Sequence, residues 1–281
     1  MTTDENILVP ATPGLIPLQK KDPLRLSVSK AKTFLDCRKK FHFTYIEKLP
    51  RKSHDYLILG TMTHKVLEEF HSYYLAGCDE PYHIAMGRAF KAGVADHAHE
   101  LTDKIKSDCK DMVTKYLKLV TLEKQNNIVP NIISVERRFE IPLGDKVIMN
   151  GAVDRYDMGT DGVLEVIDYK SSKSSQYLKK DPFQLLVYAY VALQDDPSLQ
   201  KVRGTYMMLK LDFERVTFEF TRDEIMTVED TFLKYAKMIE EETEYKANPT
   251  ALCSYCDHVN ICPEGKAKAY GIVKYGETKW G

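Results

Sequence analysis

Two carboxylates and a lysine occur in this chain at a spacing that suits phosphodiester chemistry. Asp154 ends the strand-like segment 147–154, and Asp168 and Lys170 lie in the next such segment, 164–170. Side chains alternate between the two faces of a strand, so Asp168 and Lys170 face the same side. A hairpin joining the two segments would bring Asp154 beside them. The pattern therefore predicts one cluster of two acids and a lysine.

A cluster of this kind is chemically suited to cleaving a phosphodiester bond. Carboxylates bind hard cations such as Mg²⁺ or Mn²⁺, and a bound cation polarises a phosphoryl oxygen and lowers the pKa of a water ligand. The lysine could orient that water or neutralise the charge of the pentavalent state. The ordinary alternative is two strand-end acids with a solvated lysine. Against it, Asp168 follows Ile167 in an apolar run, where aspartate is disfavoured.

Three cysteines near the end of the sequence have the spacing of thiol ligands. Cys253 and Cys256 are separated by two residues, which is the usual chelating interval, and Cys262 follows. Four thiolates suit either a structural Zn²⁺ or a 4Fe–4S cluster, and the spacing does not separate the two. Of the other cysteines, Cys78 and Cys109 are expected to be free thiols in a helical region.

The order of predicted elements indicates an α/β fold. Helices are expected from Ser27 or Ser29 toward Tyr45, from near Gly60, and over 84–124. After Pro130 the pattern changes to strands at 132–142, 146–157 and 163–169, a helix at 182–193, strands near 203–211 and 214–220, and a helix over 222–245. This order predicts a mixed sheet flanked by helices, in one domain with a helical insertion around 75–125.

Four segments together resemble a known family. Gly151–Arg155 and Val166–Ser172 resemble the two core motifs of RecB-like PD-(D/E)XK nucleases, with 14 residues between the two acids (168 − 154). Gly60–Glu68 resembles the upstream helix of that family, and Pro182–Tyr188 resembles its downstream Q-x-x-x-Y helix. The motifs occur in the order of the family, and the chain is most similar to its single-domain exonucleases, including CRISPR-associated and viral proteins. The resemblance implies a restriction-endonuclease-like sheet.

The resemblance assigns roles to individual residues. It implies that His64, Asp154, Asp168 and Tyr169 bind the catalytic metal, and that Asp154, Asp168, Lys170, Gln184 and Tyr188 form the catalytic set. Imidazole suits transition metals, although a histidine on a helix is more often a buried core residue. Gln184 and Tyr188 share one helix face, since they are four residues apart. Glu136, in the preceding strand, is either a supporting acid of the site or part of a surface salt bridge.

The resemblance also completes the cysteine cluster. The family places one cysteine in its first helix and three at the C-terminal end, so Cys37 would join Cys253, Cys256 and Cys262 around a 4Fe–4S cluster, within a tail of about 247–265. Structural Zn²⁺ is the alternative metal, and His258 is an alternative fourth ligand. Such a cluster would close a loop of more than 200 residues and add folding free energy.

Composition and charge bound the class of protein. The 281 residues are 43% hydrophobic, enough for a core, and the formal net charge is −1. A protein that coats nucleic acid would be strongly basic, whereas a nuclease need not be. Between Lys20 and Lys52 there are eleven Lys or Arg residues against three acids. This basic segment is either a solvated surface or an edge that contacts phosphates.

The sequence gives no sign of membrane insertion or secretion. No stretch approaches the length of uninterrupted apolar residues that a bilayer requires, and residues 1–22 read as a flexible leader rather than a signal peptide. The single nuclease domain is then expected over 23–281. An intracellular, cytoplasmic setting follows, in the host cytoplasm if the protein is viral, and there thiols serve as ligands more often than as disulfides.

These observations predict a Mg²⁺- or Mn²⁺-dependent DNA nuclease, most simply an exonuclease. The sequence contains no helicase motif and no phosphate-binding P-loop, so the protein is expected to act alone or with a helicase, recombination or CRISPR-adaptation partner. The alternative is a non-catalytic DNA-binding or assembly module scaffolded by the metal–thiolate cluster. A degenerate nuclease would lack one of Asp154, Asp168 and Lys170, and all three are present.

Overall fold

The computed structural model describes residues 22–271. The flexible leader predicted for residues 1–22 lies outside this range apart from Asp22, and so do the last ten residues of the predicted domain, 272–281.

A six-stranded mixed sheet forms the centre of the described chain. Its strands are β1 (Leu24–Leu26), β2 (Asn131–Leu143), β3 (Val147–Met158), β4 (Leu164–Lys170), β5 (Lys201–Met208) and β6 (Glu214–Thr221). β2, β3 and β4 form the predicted antiparallel meander, β5 runs parallel to β4, and β6 returns antiparallel to β5. The first part of the long β3 also pairs with β1 in parallel. The sequence did not indicate β1, because three residues show no periodicity.

Helices cover both faces of this sheet. They are α1 (Val28–Asp36), α2 (Arg38–Phe41), α3 (Asp55–Leu75), α4 (Tyr82–Asp96), α5 (Asp103–Gln125), α6 (Phe183–Asp195), α7 (Arg222–Glu241) and α8 (Pro263–Tyr270). α6 connects the parallel strands β4 and β5, as such a crossover requires. The predicted fold class, a mixed sheet flanked by helices, is confirmed.

The sheet separates two hydrophobic cores. One core joins the sheet to α1, α6 and α7 through buried side chains such as Phe34, Val166, Leu185 and Phe232. The other joins the opposite face to α3, α4 and α5, and includes Met62, Phe70, Tyr116, Ile167 and Tyr169. The region predicted as a helical insertion thus supplies α4 and α5, which pack with α3 against the sheet.

Several predicted helix limits were wrong, and each error has a local cause. The first helix does not continue to Tyr45, because Cys37 has an extended backbone and divides α1 from α2 and a following π turn. The segment 84–124 is two helices, and the second begins where the Thr102 side chain accepts a hydrogen bond from the Ile105 N–H. α7 ends at Glu241 rather than at residue 245.

Gly60 lies inside α3 rather than at its start, since the helix begins at Asp55. A Cβ atom at position 60 would lie 3.2 Å from Ser171 Oγ, just beyond the end of β4. Glycine therefore allows α3 to approach the end of this strand closely. Between residues 22 and 271, no helix is both long enough and apolar enough to traverse a bilayer.

Candidate active site

Asp154 and Asp168 meet where β3 and β4 diverge. The antiparallel pairing ends at Arg155 opposite Ile167, so Asp154 and Asp168 are the next residues on the two strands. The Tyr169 N–H donates a 2.7 Å hydrogen bond to Asp154 Oδ2. The side chains of Asp154 and Asp168 are 12% and 3% exposed. The predicted pair of acids on adjacent strands is therefore present and largely buried.

Lys170 and Gln184 complete the polar cluster around Asp168. Lys170 Nζ lies 2.5 Å from Asp168 Oδ2 and 3.0 Å from Gln184 Oε1. Gln184 Nε2 donates to Asp168 Oδ1 at 3.0 Å and to the Tyr188 hydroxyl at 2.7 Å. One amide thus holds both the acid and the lysine, and Tyr188 fixes that amide from the next turn of α6.

His64 approaches the pair from α3 on the other side. Its Nδ1 lies 3.3 Å from Asp154 Oδ1, and its side chain is about a third exposed. Burial disfavours a charge on the imidazole, but the carboxylates of Asp154 and Asp168 outweigh it and raise the pKa of His64 to about 9. The histidine predicted as a ligand is therefore beside the acids, where it is protonated at neutral pH unless a cation takes the place of the proton.

The surroundings of the two acids drive their pKa values apart. Burial opposes ionisation of Asp154, but His64, the Tyr169 N–H and Lys170 stabilise the carboxylate and lower its pKa. Burial has the largest effect on Asp168 and, with the charge of Asp154, raises its pKa despite the attraction of Lys170. Asp168 Oδ2 is buried and receives no well-oriented hydrogen bond, although Lys170 Nζ is close. A buried carboxylate oxygen that lies beside an ammonium but accepts no well-oriented hydrogen bond can also coordinate a cation.

Glu136 lies on β2 beside the two acids. Its neighbours Val135 and Arg137 pair with Arg155 and Val153 of β3, so Glu136 lies across from Asp154. Its backbone has φ 46°, a left-handed conformation that is strained for a residue other than glycine. Burial, followed by the negative charges of Asp154 and Glu68, raises the pKa of Glu136. Glu136 also pairs with Arg138 at 3.5 Å. Each of the two predicted roles, a supporting acid of the site and a surface salt bridge, therefore has a nearby partner.

Comparison with known proteins assigns the family. A sequence model described as the PD-(D/E)XK nuclease superfamily matches residues 25–263. The chain belongs to this superfamily. It is 25% identical over 240 residues to one chain of the ATP-dependent helicase/deoxyribonuclease of Streptococcus agalactiae serotype Ia, a match that covers 81% of this chain and 22% of that protein. The corresponding protein of Streptococcus pyogenes serotype M3 is 26% identical over 165 residues, 54% of this chain and 15% of that protein.

A solved structure from Eubacterium rectale, assigned as an exonuclease, has the same fold. It superposes with a TM-score of 0.51 at 12% identity, over 83% of this chain and 87% of that chain. The present chain spans about a fifth of the length of the helicase/deoxyribonuclease proteins that it matches. The predicted resemblance to the PD-(D/E)XK superfamily is confirmed, and the helicase/deoxyribonuclease relatives agree with its RecB-like branch.

A buried polar network lies behind the PD-(D/E)XK site, on the α3 side of the sheet. The Arg155 guanidinium binds both carboxylate oxygens of Asp157 and donates to the hydroxyls of Tyr116 at 2.8 Å and Tyr169 at 3.1 Å. The Tyr116 hydroxyl also lies 2.8 Å from His71 Nε2. Burial and the neighbouring guanidinium hold the pKa of His71 well below its usual value, so the ring is neutral. The sequence analysis did not identify this network.

The four cysteines predicted as cluster ligands line one cavity. Cys37 reaches it from the break between α1 and α2, and Cys253, Cys256 and Cys262 reach it from the tail. Three sulfurs accept backbone N–H groups: Cys37 from Asn248 at 3.5 Å, and Cys253 and Cys262 at 3.4 Å from Thr250 and Gly265. A Cβ on Gly265 would lie 3.2 Å from the sulfur of Cys262 and 3.7 Å from that of Cys253.

The structure also shows the surroundings of Cys109, of His258 and of Arg38 in the basic segment. None of the six cysteines forms a disulfide; Cys109 is buried on α5, where it accepts a hydrogen bond from Thr63 at 3.5 Å. His258 also lines the thiol cavity, and its Nε2 lies 3.0 Å from Thr44 Oγ1. In the basic segment, Arg38 is paired with Glu242 at 2.8 Å. Within residues 22–271, no three His, Cys, Asp or Glu side chains form a ready-made metal-binding group.

Proposed function

We propose that this chain is a nuclease that hydrolyses phosphodiester bonds of DNA with the help of Mg²⁺ or Mn²⁺, and that it acts as an exonuclease. The observation that carries the proposal is the convergence of Asp154, Asp168 and Lys170 where the pairing of β3 with β4 ends. The superfamily match and the helicase/deoxyribonuclease proteins among its relatives support it.

The carboxylates of Asp154 and Asp168 would hold the cation, with His64 as a third ligand. Asp168 Oδ2, which accepts no well-oriented hydrogen bond, and the other carboxylate oxygens suit a hard cation, and an imidazole ligand favours Mn²⁺ more than Mg²⁺. When bound, the cation polarises the phosphoryl oxygen and lowers the pKa of a coordinated water. The side chain of Tyr169 faces the α3 core, so its contribution would come from its main chain.

Lys170 would stabilise the negative charge that develops on the phosphate during hydrolysis. Gln184 holds its ammonium 3.0 Å away, at the edge of the acid pair. From there Lys170 can orient the attacking water or neutralise charge on the phosphate. Tyr188 keeps Gln184 in position through their 2.7 Å hydrogen bond. Glu136 would add a further acid, which would account for a strained backbone being retained in the middle of β2.

We also infer that Cys37, Cys253, Cys256 and Cys262 hold a 4Fe–4S cluster, with structural Zn²⁺ as the alternative. The donor set fits, because four thiols line one cavity and three of them receive N–H hydrogen bonds of the kind that tune cluster sulfurs. The group would tie the α1–α2 break to the tail and add to the free energy of unfolding. Anaerobically purified protein should be brown and contain about four irons per chain. One zinc per chain in colourless protein would contradict this choice.

The relatives suggest a partner as well as an activity. The matched proteins are described as parts of an ATP-dependent helicase/deoxyribonuclease, and this chain spans about a fifth of their length. We propose that the nuclease receives its DNA from a helicase or a recombination complex. Co-purification with an ATP-dependent unwinding activity would support this.

A cleavage assay tests the activity directly. Linear and covalently closed circular DNA are incubated with the protein in Mn²⁺, in Mg²⁺ and in EDTA. We expect metal-dependent degradation of linear DNA, EDTA to stop it, and circles to survive because an exonuclease needs an end. Degraded circles would make the protein an endonuclease, and intact linear DNA under all conditions would overturn the proposal.

Variants at the site tie this activity to the proposed residues. Asp168→Asn and Lys170→Ala should abolish cleavage while the fold is kept, and Asp154→Ala should also weaken binding of Mn²⁺. Asp161→Asn makes the same change at an acid in the exposed turn between β3 and β4, where Asp161 pairs with Arg203 and accepts the Val163 N–H, and should keep wild-type cleavage. Wild-type cleavage by Asp168→Asn or Lys170→Ala would remove these residues from the mechanism.

A further inference from the structure

The segment that links β4 to α6, called the connector below, has an exposed aromatic and basic surface. Residues 171–182 run from Lys170, at the end of β4, to the start of α6, where Gln184 lies. Tyr177 is seven residues from each of these two residues, and its side chain is 62% exposed. The connector also carries three lysines against one aspartate. The segment that links Lys170 to Gln184 therefore carries an exposed aromatic ring and positive charge.

The ring of Tyr177 is held in place rather than free to move. Its hydroxyl donates a 2.9 Å hydrogen bond to Asp181 Oδ2. Lys32, on α1, pairs with the same carboxylate at 2.5 Å and lies 5.5 Å from the centre of the Tyr177 ring. On either side of Tyr177, Ser175 binds Glu214 and Leu178 is buried in the core. An exposed ring fixed at its hydroxyl loses little conformational freedom when a flat ligand stacks on it.

One side chain, Tyr206, contacts both the connector and Lys170. The main-chain carbonyl of Asp181 accepts a 3.1 Å hydrogen bond from the Tyr206 hydroxyl. The ammonium of Lys170 lies 5.4 Å from the centre of the same Tyr206 ring. At the other end of the connector, Ser171 faces Gly60 of α3. The two ends of the connector are thus packed against residues of the candidate site and of α3.

We propose that the connector is a binding site for single-stranded DNA, with Tyr177 stacking on a base and Lys173 and Lys180 contacting phosphates; this rests on the nuclease function proposed above. Lys173 and Lys180 are exposed and make no ion pair within residues 22–271. Asp181 and Glu214, which lie next to Tyr177 and Ser175, are already paired with Lys32 and Lys179. Lys173 lines a surface cavity with two further lysines and three aspartates: Lys104, Lys210, Asp55, Asp108 and Asp111.

The exposed ring favours binding of single-stranded over double-stranded DNA. In a duplex the base faces are covered by their neighbours, so a protein meets phosphates and base edges. In a single strand each base offers a free face, and aromatic platforms combined with basic residues are the usual means of holding it. The combination of Tyr177 with the connector lysines therefore predicts that a frayed or unwound end binds here.

Binding measurements without cleavage test the proposal. Fluorescence anisotropy in EDTA follows labelled oligothymidylate and a blunt hairpin duplex. Tyr177→Ala should weaken oligothymidylate binding by roughly 5- to 150-fold, the range for losing one stacked base. Tyr177→Phe, which keeps the ring but loses the hydrogen bond to Asp181, should weaken binding less than Tyr177→Ala does, and duplex binding should change little in both. Tyr255→Ala is the matched control, because Tyr255 is 74% exposed in the tail.

The lysines supply a second, independent readout. Replacing Lys173 and Lys180 together by Gln should flatten the dependence of log affinity on log salt by about 1.4 for the single strand, or about 0.7 for each contact. Unchanged oligothymidylate binding by Tyr177→Ala, or an equal loss on single strands and duplex, would overturn the proposal, given an unchanged melting temperature. If wild-type protein cleaves no DNA but these binding effects appear, the nuclease function fails and the single-strand site stands.

Discussion

Replacing Arg155 by methionine tests how much the polar network behind the acid pair stabilises the protein. The side chains of Arg155 and Asp157 are only 3% and 9% exposed, and they form an ion pair through both carboxylate oxygens. Methionine would leave Asp157 as a buried carboxylate without its positively charged guanidinium partner. Removing one partner of a buried pair costs about 3–5 kcal/mol. We therefore expect Arg155→Met to lower the free energy of unfolding by about 3–5 kcal/mol.

A double variant separates the unpaired charge from the loss of the other contacts. Arg155→Met also deprives the hydroxyls of Tyr116 and Tyr169 of a donor, and adding Asp157→Leu does not restore it. The double variant does remove the stranded carboxylate, and exchanging a buried pair for apolar side chains is often neutral or stabilising. The double variant should therefore be more stable than Arg155→Met alone, although it has lost one more polar side chain.

Urea unfolding followed by circular dichroism measures these differences. The three proteins must carry the same metal content, because bound metal adds to the free energy of unfolding. If Arg155→Met costs less than about 1 kcal/mol, the pair is not buried as described. If the double variant is no more stable than the single one, the unpaired Asp157 carboxylate is not the source of the loss.

Further predictions concern catalysis, the thiols and pH. Gln184→Leu removes one hydrogen bond to each of two charged side chains, so steady-state kinetics should show kcat falling by about 10- to 100-fold with an unchanged melting temperature. Cys37→Ala should lower the metal content and the stability as much as Cys253→Ala does, whereas Cys78→Ala, outside the cavity, should leave the metal content unchanged. In EDTA-treated protein the raised pKa of His64 stabilises the fold fully below about pH 6.5, and this stability is lost as pH rises through about 9. The urea concentration at the midpoint of unfolding should fall between pH 6.5 and about 9 in the wild-type protein, and it should fall less in His64→Gln. An equal dependence on pH in the two proteins would contradict the ion pair between His64 and Asp154.

The acid–lysine cluster was predictable because it depends on local rules. Alternation along β4 fixed the relative direction of Asp168 and Lys170, and a short hairpin was enough to bring Asp154 beside them. The contact of Gln184 with both of these β4 residues could not be read from spacing. It depends on how α6 crosses the sheet, and only the family resemblance suggested it.

The network around Arg155 illustrates what the sequence does not reveal. An arginine directly after Asp154 reads as an ordinary surface charge, and its partners His71 and Tyr116 are 84 and 39 residues away. Their meeting depends on α3 and α5 packing against the same face of the sheet. Tyr177 escaped notice for a related reason, because its proposed role follows from its exposure on the segment between Lys170 and Gln184 and not from a motif.

The arrangement of the thiol cavity has a consequence for the order in which the protein matures. Cys37 and Cys262 are 225 residues apart (262 − 37), so at typical translation rates they leave the ribosome about 10–45 s apart. His64, Asp154, Asp168 and Gln184 are synthesised within that interval. The nuclease site can therefore assemble on the nascent chain before any metal can join the four thiols. Loading of the cavity would be a late, post-translational step, and chains interrupted before the tail would carry the proposed catalytic residues without the proposed metal closure.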